Sequence, residues 1–187
     1  MVHFSDFSVA RDLLRNRGAA SIEHIEGDLL SHLEGTAALL ASWGADLTLQ
    51  LAGLCHAAYG TDGLSASLLT LGERRILIRA IGADAERLVY LYAACIRDDL
   101  YPRFGRDARL DLRDRFTGAT RLLPQDEVRN FVELTFANEL ELARRLPAFA
   151  ATYRTGLVEL FRRCRAYASR AAYRCFLDTF SARAARL

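Results

Sequence analysis

Apolar residues recur three and four positions apart along most of this chain, and polar residues and glycines gather where that rhythm breaks. Phe7, Ala10, Leu13 and Leu14 predict a short amphipathic helix over 5–17, which Gly18 ends. Ser21, followed by Glu23 and Glu26, suits a helix start. From there Ile22, Ile25, Leu29, Leu33, Ala37 and Leu40 carry a helical stripe to about Ser42, closed by Gly44. Asp46 or Thr48 opens the next helix, 47–58, which is apolar nearly all round and therefore central. After the glycine turn 59–65, helices are predicted over 74–81 and 83–98, split by Gly82. The stretch 100–123 carries Pro102, Gly105, Gly118 and many charges without periodicity, and reads as a loop-rich excursion or pocket lid. Pro124 opens a helix to about Arg145, and Pro147 starts a last helical stretch to Leu187. No alternating strand pattern persists, so the expected fold is all-α, one domain over 1–187.

Composition refines this picture in three places. The chain holds 25 arginines and no lysine, yet its net charge is only +2. No global field therefore calls for nucleic acid or a membrane surface. Only the C-terminal third is locally basic, with Arg162, Arg163, Arg165, Arg170, Arg174, Arg183 and Arg186 outnumbering the acids. The four cysteines, Cys55, Cys95, Cys164 and Cys175, lack metal-ligand spacing and sit among apolar neighbours, as buried reduced thiols do. No apolar run has the length of a bilayer span and no leader segment is recognisable, which gives a soluble, cytoplasmic protein as the expectation.

The candidate chemistry clusters in two places. His24, Asp28 and His32 fall four apart, on one face of the predicted 21–42 helix, with Ser31 beside them and Gly35 allowing close approach next to His32. His56 ends an apolar helix, so its ring enters the interior and needs a partner. Tyr59, Thr61 and Asp62 follow in the turn, and a ring, a phenol and a carboxylate converging at a helix end make a candidate acid–base site. Farther on, Asn138 and Glu139 interrupt an apolar helix. Arg97, Arg103 and Arg106 are candidates for gripping an anionic group. The aromatics Tyr90, Tyr92, Tyr101, Phe104 and Phe116 bracket the 100–123 excursion, and some are expected in a pocket wall. The chain has no glycine-rich dinucleotide or P-loop motif and no nucleophile elbow, so no nucleotide cofactor is expected.

The stretch HLEGTAALLASWGADLTLQLAGLCH resembles the first half of an HD-superfamily domain, the helical fold of metal-dependent phosphohydrolases. In the alarmone hydrolases of the stringent response a metal-binding histidine is followed, one helix and a loop later, by a His-Asp dyad. His32 and His56 match the first histidine and the dyad histidine. The wider pattern, Trp43-Gly44, Ala52-Gly53-Leu54, His56, Tyr59-Gly60-Thr61, Ile81-Gly82 and Ala85-Glu86-Arg87-Leu88, resembles a bacterial HD-like family over residues 21–97. The resemblance implies an HD-like bundle with a core of about 21–100 and extra C-terminal helices over 124–187. It also implies a metal site, but the dyad aspartate is Ala57, the later aspartate is replaced at Ile96-Arg97 (with Asp98 and Asp99 nearby), and the acidic pair is Gly60-Thr61.

Three functions follow as expectations. The first is a small-molecule enzyme on a degenerate HD-like scaffold, of lyase, isomerase, cyclase or hydratase type, in specialised metabolism. In it His56, His32 and Tyr59 perform acid–base work while Thr61, Asp62, Arg97 and Asn138 hold the substrate. The second is a metal-dependent phosphohydrolase or oxygenase, with one divalent ion on His32, His56, Asp28 and His24. The third is a non-catalytic module that binds a small ligand.

Overall fold

The computed structural model describes residues 7–25 and 27–181. It is all-α apart from one small hairpin, with nine α-helices among the described residues. The first is α1 (Phe7–Asn16), followed by α2 (Leu29–Ser42), α3 (Leu47–Cys55), α4 (Arg74–Ile81) and α5 (Ala83–Ala94). A short α6 (Arg97–Leu100) leads to the antiparallel strands β1 (Asp111–Arg113) and β2 (Thr120–Leu122). The chain then forms α7 (Gln125–Arg145), α8 (Pro147–Arg163) and α9 (Arg170–Ser181).

The centre of the molecule is α7. Phe131, Leu134, Phe136, Ala137 and Leu140 are buried on different sides of it, and it packs against α2, α3, α5, α8 and α9. The segment after residue 124 is thus built into the same core as α2 and α3. Helix α3 is buried along most of its length, as its apolar sequence predicts, and Asp46 caps it by accepting from the Leu49 N–H at 2.8 Å. Gly53 has no side chain where Leu40 of α2 packs, which brings α2 and α3 close together.

Three predicted boundaries are corrected. The helix expected from Ser21 begins only at Leu29. Asp28 is its N-cap, accepting from the Ser31 N–H at 2.9 Å and from the Ser31 hydroxyl at 2.6 Å. That local cap prevails over the apolar spacing of Ile22 and Ile25. Residues 22–25 instead lie against 27–28, with an antiparallel bridge between Glu23 and Asp28 and the His24 N–H bonded to the Gly27 carbonyl at 2.9 Å. Glu26, expected in a first helical turn, lies outside the described residues, as do the ends of the first and last predicted helices and Arg183 and Arg186. The final stretch is two helices, broken at residues 164–169; the second is anchored by Glu133, which accepts from the Ser169 N–H and hydroxyl at 2.9 and 2.6 Å.

The third correction concerns 100–123, which is ordered and in part strand. Its hairpin is fastened to the end of α5: the Arg115 N–H bonds to the Ala94 carbonyl at 3.0 Å, and the Tyr90 hydroxyl to Asp114 at 2.6 Å. The expected free thiols are present, all four cysteines being buried and unbridged. No helix among the described residues is long and apolar enough to cross a membrane.

Gly105 joins the 97–106 segment to α8. It has φ +71°, and a Cβ there collides with the backbone carbonyl of Arg163. Gly44 has φ +79° but open space around it. Gly105→Ala is therefore expected to lower unfolding free energy by about 2–4 kcal/mol, and Gly44→Ala by about 1 kcal/mol, in urea titrations. Equal losses contradict the tight 105–163 contact.

Candidate functional site

A cavity of about 800 Å³ opens between α2, the C-terminal end of α3, the 97–106 segment, α7 and α8. His24, His32 and His56 lie in one row along its wall. The His24 and His32 ring centroids are 4.6 Å apart, and those of His32 and His56 are 5.2 Å apart. Behind His56 the ring of Tyr92 packs edge-on at 5.6 Å. His24 reaches this row from the segment before α2, not from the face of a helix.

The protonation of each ring follows from its neighbours. His32 Nδ1 lies 2.5 Å from Glu141 Oε2, and its Nε2 lies 3.1 Å from Asn138 Oδ1. The Asn138 amide is oriented by its other end, where Nδ2 donates to Glu139 Oε1 at 2.9 Å. Burial works against charge on Glu141, but the hydrogen bond and ion pair with His32, then Arg145, outweigh it and hold the carboxyl below its usual range. Both partners of His32 are thus acceptors. Each ring nitrogen has an acceptor to donate to, an arrangement that suits the charged ring paired with Glu141. Gly35 makes this contact possible, since a Cβ there sits 2.8 Å from Glu141 Cγ.

His56 is the opposite case. Its Nδ1 lies 2.8 Å from the Gly53 carbonyl, which only accepts, so Nδ1 carries the proton and Nε2 keeps a lone pair. Burial, then the charge of His32, lowers its pKa from 6.5 to about 3 against the pull of that carbonyl. His24 is lowered to about 4, by burial first and then by His32 and Arg145. Glu139 borders the same cavity. Burial pushes its carboxyl up, against Arg97, Asn138 and His32. The site therefore sets two imidazoles that resist protonation, His24 and His56, beside the His32–Glu141 pair and a carboxyl whose proton affinity is raised by burial.

Several expected site residues lie elsewhere. Tyr59 is not among the residues that line the cavity. Its hydroxyl donates to buried Glu86 at 2.8 Å, which Arg74 also grips at 2.7 and 2.9 Å. Burial, then Glu86, pushes the phenol far above its ordinary range, so Tyr59 supports structure and supplies no cavity proton. Asp28 is spent on its helix cap and Asp62 on the Arg97 backbone N–H at 2.8 Å, so neither faces the cavity. Thr61, Arg97 and Asn138 do line it. Arg103 is tied to Asp107 and Asp111, away from the cavity, and Arg106 is tied at the rim to Glu159. Of the aromatic residues near the excursion, Tyr101 lines the wall, while Tyr90 and Phe116 pack together by the hairpin.

Neither Glu141 nor the wall from α8, which includes Phe149, Tyr153, Gly156 and Leu157, is anticipated from the sequence. Glu141 follows Asn138 and Glu139 in the same apolar helix, and that run of polar residues is the signal that could have found it. A divalent ion on His32, His56, Asp28 and His24 fits this arrangement poorly. His32 has both nitrogens engaged, Asp28 faces its own helix, and no group of three or more His, Cys, Asp or Glu among the described residues is placed to hold an ion.

The profile of a domain of unknown function (DUF6817) matches residues 13–97. That segment carries the three histidines, Thr61 and Arg97, and stops short of α7 and α8. No curated protein and no solved structure matches the chain.

The lowered histidines make the fold acid-sensitive. Below about pH 6.5 the unfolded chain takes a proton on each ring that the folded chain refuses until about 4 for His24 and about 3 for His56. Stability falls as pH drops, by up to about 1.4 kcal/mol per pH unit for each ring. Ionised Glu141 adds to the fall, and Glu139, which takes its proton first when folded, opposes it. Urea titrations between pH 7.5 and 5 are expected to show this slope, and His56→Asn to reduce it by about one proton. An unchanged slope in that variant contradicts a neutral buried His56.

Proposed function

We propose that this chain is an acid–base enzyme acting on a small molecule, on an HD-like helical scaffold that works without the metal centre of that superfamily. The observation that carries the reading is His56: a buried, uncharged imidazole on the cavity wall, fixed by the Gly53 carbonyl as the tautomer with a free Nε2 lone pair. In this reading Nε2 accepts the substrate's proton. Glu139, whose burial favours the protonated carboxyl, returns one, and so takes the donor role expected of Tyr59. His32, held cationic by Glu141, stabilises negative charge that develops on the substrate through its field, since both of its nitrogens are already committed.

Such a set suits proton abstraction and return: isomerase, lyase, hydratase or cyclase chemistry. It lacks the bridging carboxylates that place a metal-bound nucleophile for phosphoester hydrolysis. The low proton affinity of His56 sets a condition on this chemistry. The ring becomes an effective base only when negative charge arrives near it and offsets His32. Four buried free thiols support a reducing, cytoplasmic setting.

Turnover in a small-molecule extract, followed by mass spectrometry, tests the reading. The wild type is expected to convert a compound to an isomer, or to a product differing by one water, and to do so equally in excess chelator. His56→Asn and Glu139→Gln are expected to lower that conversion at least about 100-fold while remaining folded. Release of a phosphoryl group, or conversion abolished by chelator and restored by a divalent ion, overturns the reading.

A further inference from the structure

Charged and orphaned polar groups on one side of the cavity define the ligand it takes. The Arg97 guanidinium is clamped by rings, its central carbon lying 5.8 Å from the centroids of both Tyr92 and Tyr101. Among the described residues its side chain makes a single hydrogen bond, a long one of 3.4 Å from NH1 to Glu139 Oε1. A guanidinium has five N–H donors. Most of this fork is therefore uncommitted, while the side chain is only 27% exposed. Glu139 neutralises it weakly, because burial favours that carboxyl in its uncharged form. Gly63 leaves room beside it: a Cβ there would lie 3.4 Å from Arg97 NH1.

Buried polar atoms without a partner are rare and call for an explanation. Among the described residues His24 Nε2 is in that state, and the Tyr92 and Tyr101 hydroxyls meet nothing but each other. His24 and Tyr101 line the cavity, and Tyr92 packs between Arg97 and His56. The unmet hydrogen-bonding capacity of the structure is thus concentrated around this one cavity.

The donors of the other two arginines of the cavity are more fully engaged, Arg163 also bonding to the Phe104 and Tyr101 carbonyls. Arg163 and Arg106 share Glu159, at 2.6 and 3.1 Å. Arg97, held only by one long contact to Glu139, is the least committed fork of the cavity and has donors left for one bidentate anion. Planar, bidentate geometry suits a carboxylate, and Leu29, Leu64, Phe149, Leu157 and Leu160 add an apolar stretch to a wall otherwise bordered by polar and charged side chains. We propose that Arg97, with the Tyr101 hydroxyl, binds the carboxylate of a monoanionic substrate whose apolar body lies against α8. The inference rests on the acid–base reading of His56 and deepens it. Arg97 is one of the charges that depress His56, so a carboxylate docked on it supplies the negative charge that the base requires.

Calorimetric titration of the wild type with a series of straight-chain and aryl monocarboxylates, butanoate to dodecanoate and 3-phenylpropionate, tests this. The matching primary amides and phenyl phosphate serve as comparisons. At least one carboxylate is expected to bind about tenfold or more tightly than its amide and than phenyl phosphate. Arg97→Gln is expected to erase the difference between acid and amide, Arg97→Lys to keep only part of it, and Arg129→Gln, a surface change on the exposed side of α7, to leave it intact. The comparison of acid with amide needs no variant, so it stands if Arg97→Gln fails to fold. No binding by any carboxylate, equal binding by the amides, or tighter binding by phenyl phosphate overturns the assignment. Nitrogen-15 imidazole spectra of the same samples test the reading beneath it. A neutral His56 protonated at Nδ1 retains that reading even when carboxylates fail to bind, and a charged or Nε2-protonated His56 removes it.

Discussion

A single buried ion pair, His32 with Glu141, joins α2 to α7 and fixes the electrostatics of everything around it. Two ionised groups in a dry interior persist only when each meets the other and further hydrogen bonds use up what remains. Here Glu141 turns one oxygen to His32 and the other to Arg145, at 2.9 Å, while the second nitrogen of His32 meets the Asn138 amide. The contact also depends on a missing methyl group, since the side chain of Glu141 occupies the space above Gly35. Sequence, packing and charge state therefore meet at one point. Removing the carboxylate leaves an uncompensated cation in the interior, which typically costs about 3–5 kcal/mol.

From that cation the rest of the site follows. His24 lies tilted against the His32 ring and His56 edge-on to it, and protons on neighbouring rings so close together repel one another. His24 and His56 stay neutral, and their lone pairs stay available. Glu139 sits one residue from the end of the same network, but its own neighbours do not fully repay its burial, so it is pushed towards its protonated form. Environment has sorted two carboxylates on one helix into different states, Glu141 ionised and Glu139 inclined to hold a proton, and such separation is what acid–base chemistry requires.

Much of this was legible in the sequence and some was not, for identifiable reasons. The all-α class, α3 and its Asp46 cap, and His56 at a buried helix end follow from periodicity and capping, which are local signals. The start of α2 did not, because Ile22 and Ile25 keep the helical spacing while Asp28 and Ser31 supply a stronger cap. Residues 24 and 28, placed on one helix face by counting, take different roles: Asp28 caps α2, and His24 reaches His32 by a turn that no periodic rule describes. Strands of three residues, as in β1 and β2, are too short to alternate visibly. Tyr59 was drawn to the site by its neighbours in sequence, whereas its partner Glu86 lies in α5. Glu141 escaped notice because a glutamate on a helix ordinarily marks a solvated face, and only tertiary packing reveals that α7 is buried on all sides from Phe131 to Ala143.

The placement of charge also limits what this cavity can do. An HD-type centre draws its power from an ion that activates water, and the ion needs several carboxylates and free imidazoles around it. In this chain Ala57 follows His56, Asp28 and Asp62 are turned to backbone N–H groups, and the carboxylates beside the histidine row, Glu139 and Glu141, come from α7. Those from α7 are directed at His32 and Arg97. Positive charge is consequently supplied by side chains whose donors are fixed in direction. Such groups orient an anion and stabilise charge that forms on it, but they do not generate hydroxide. A neutral imidazole, a carboxyl whose proton affinity is raised by burial and a half-committed guanidinium are the groups that the proposed proton transfer on a bound organic acid would use.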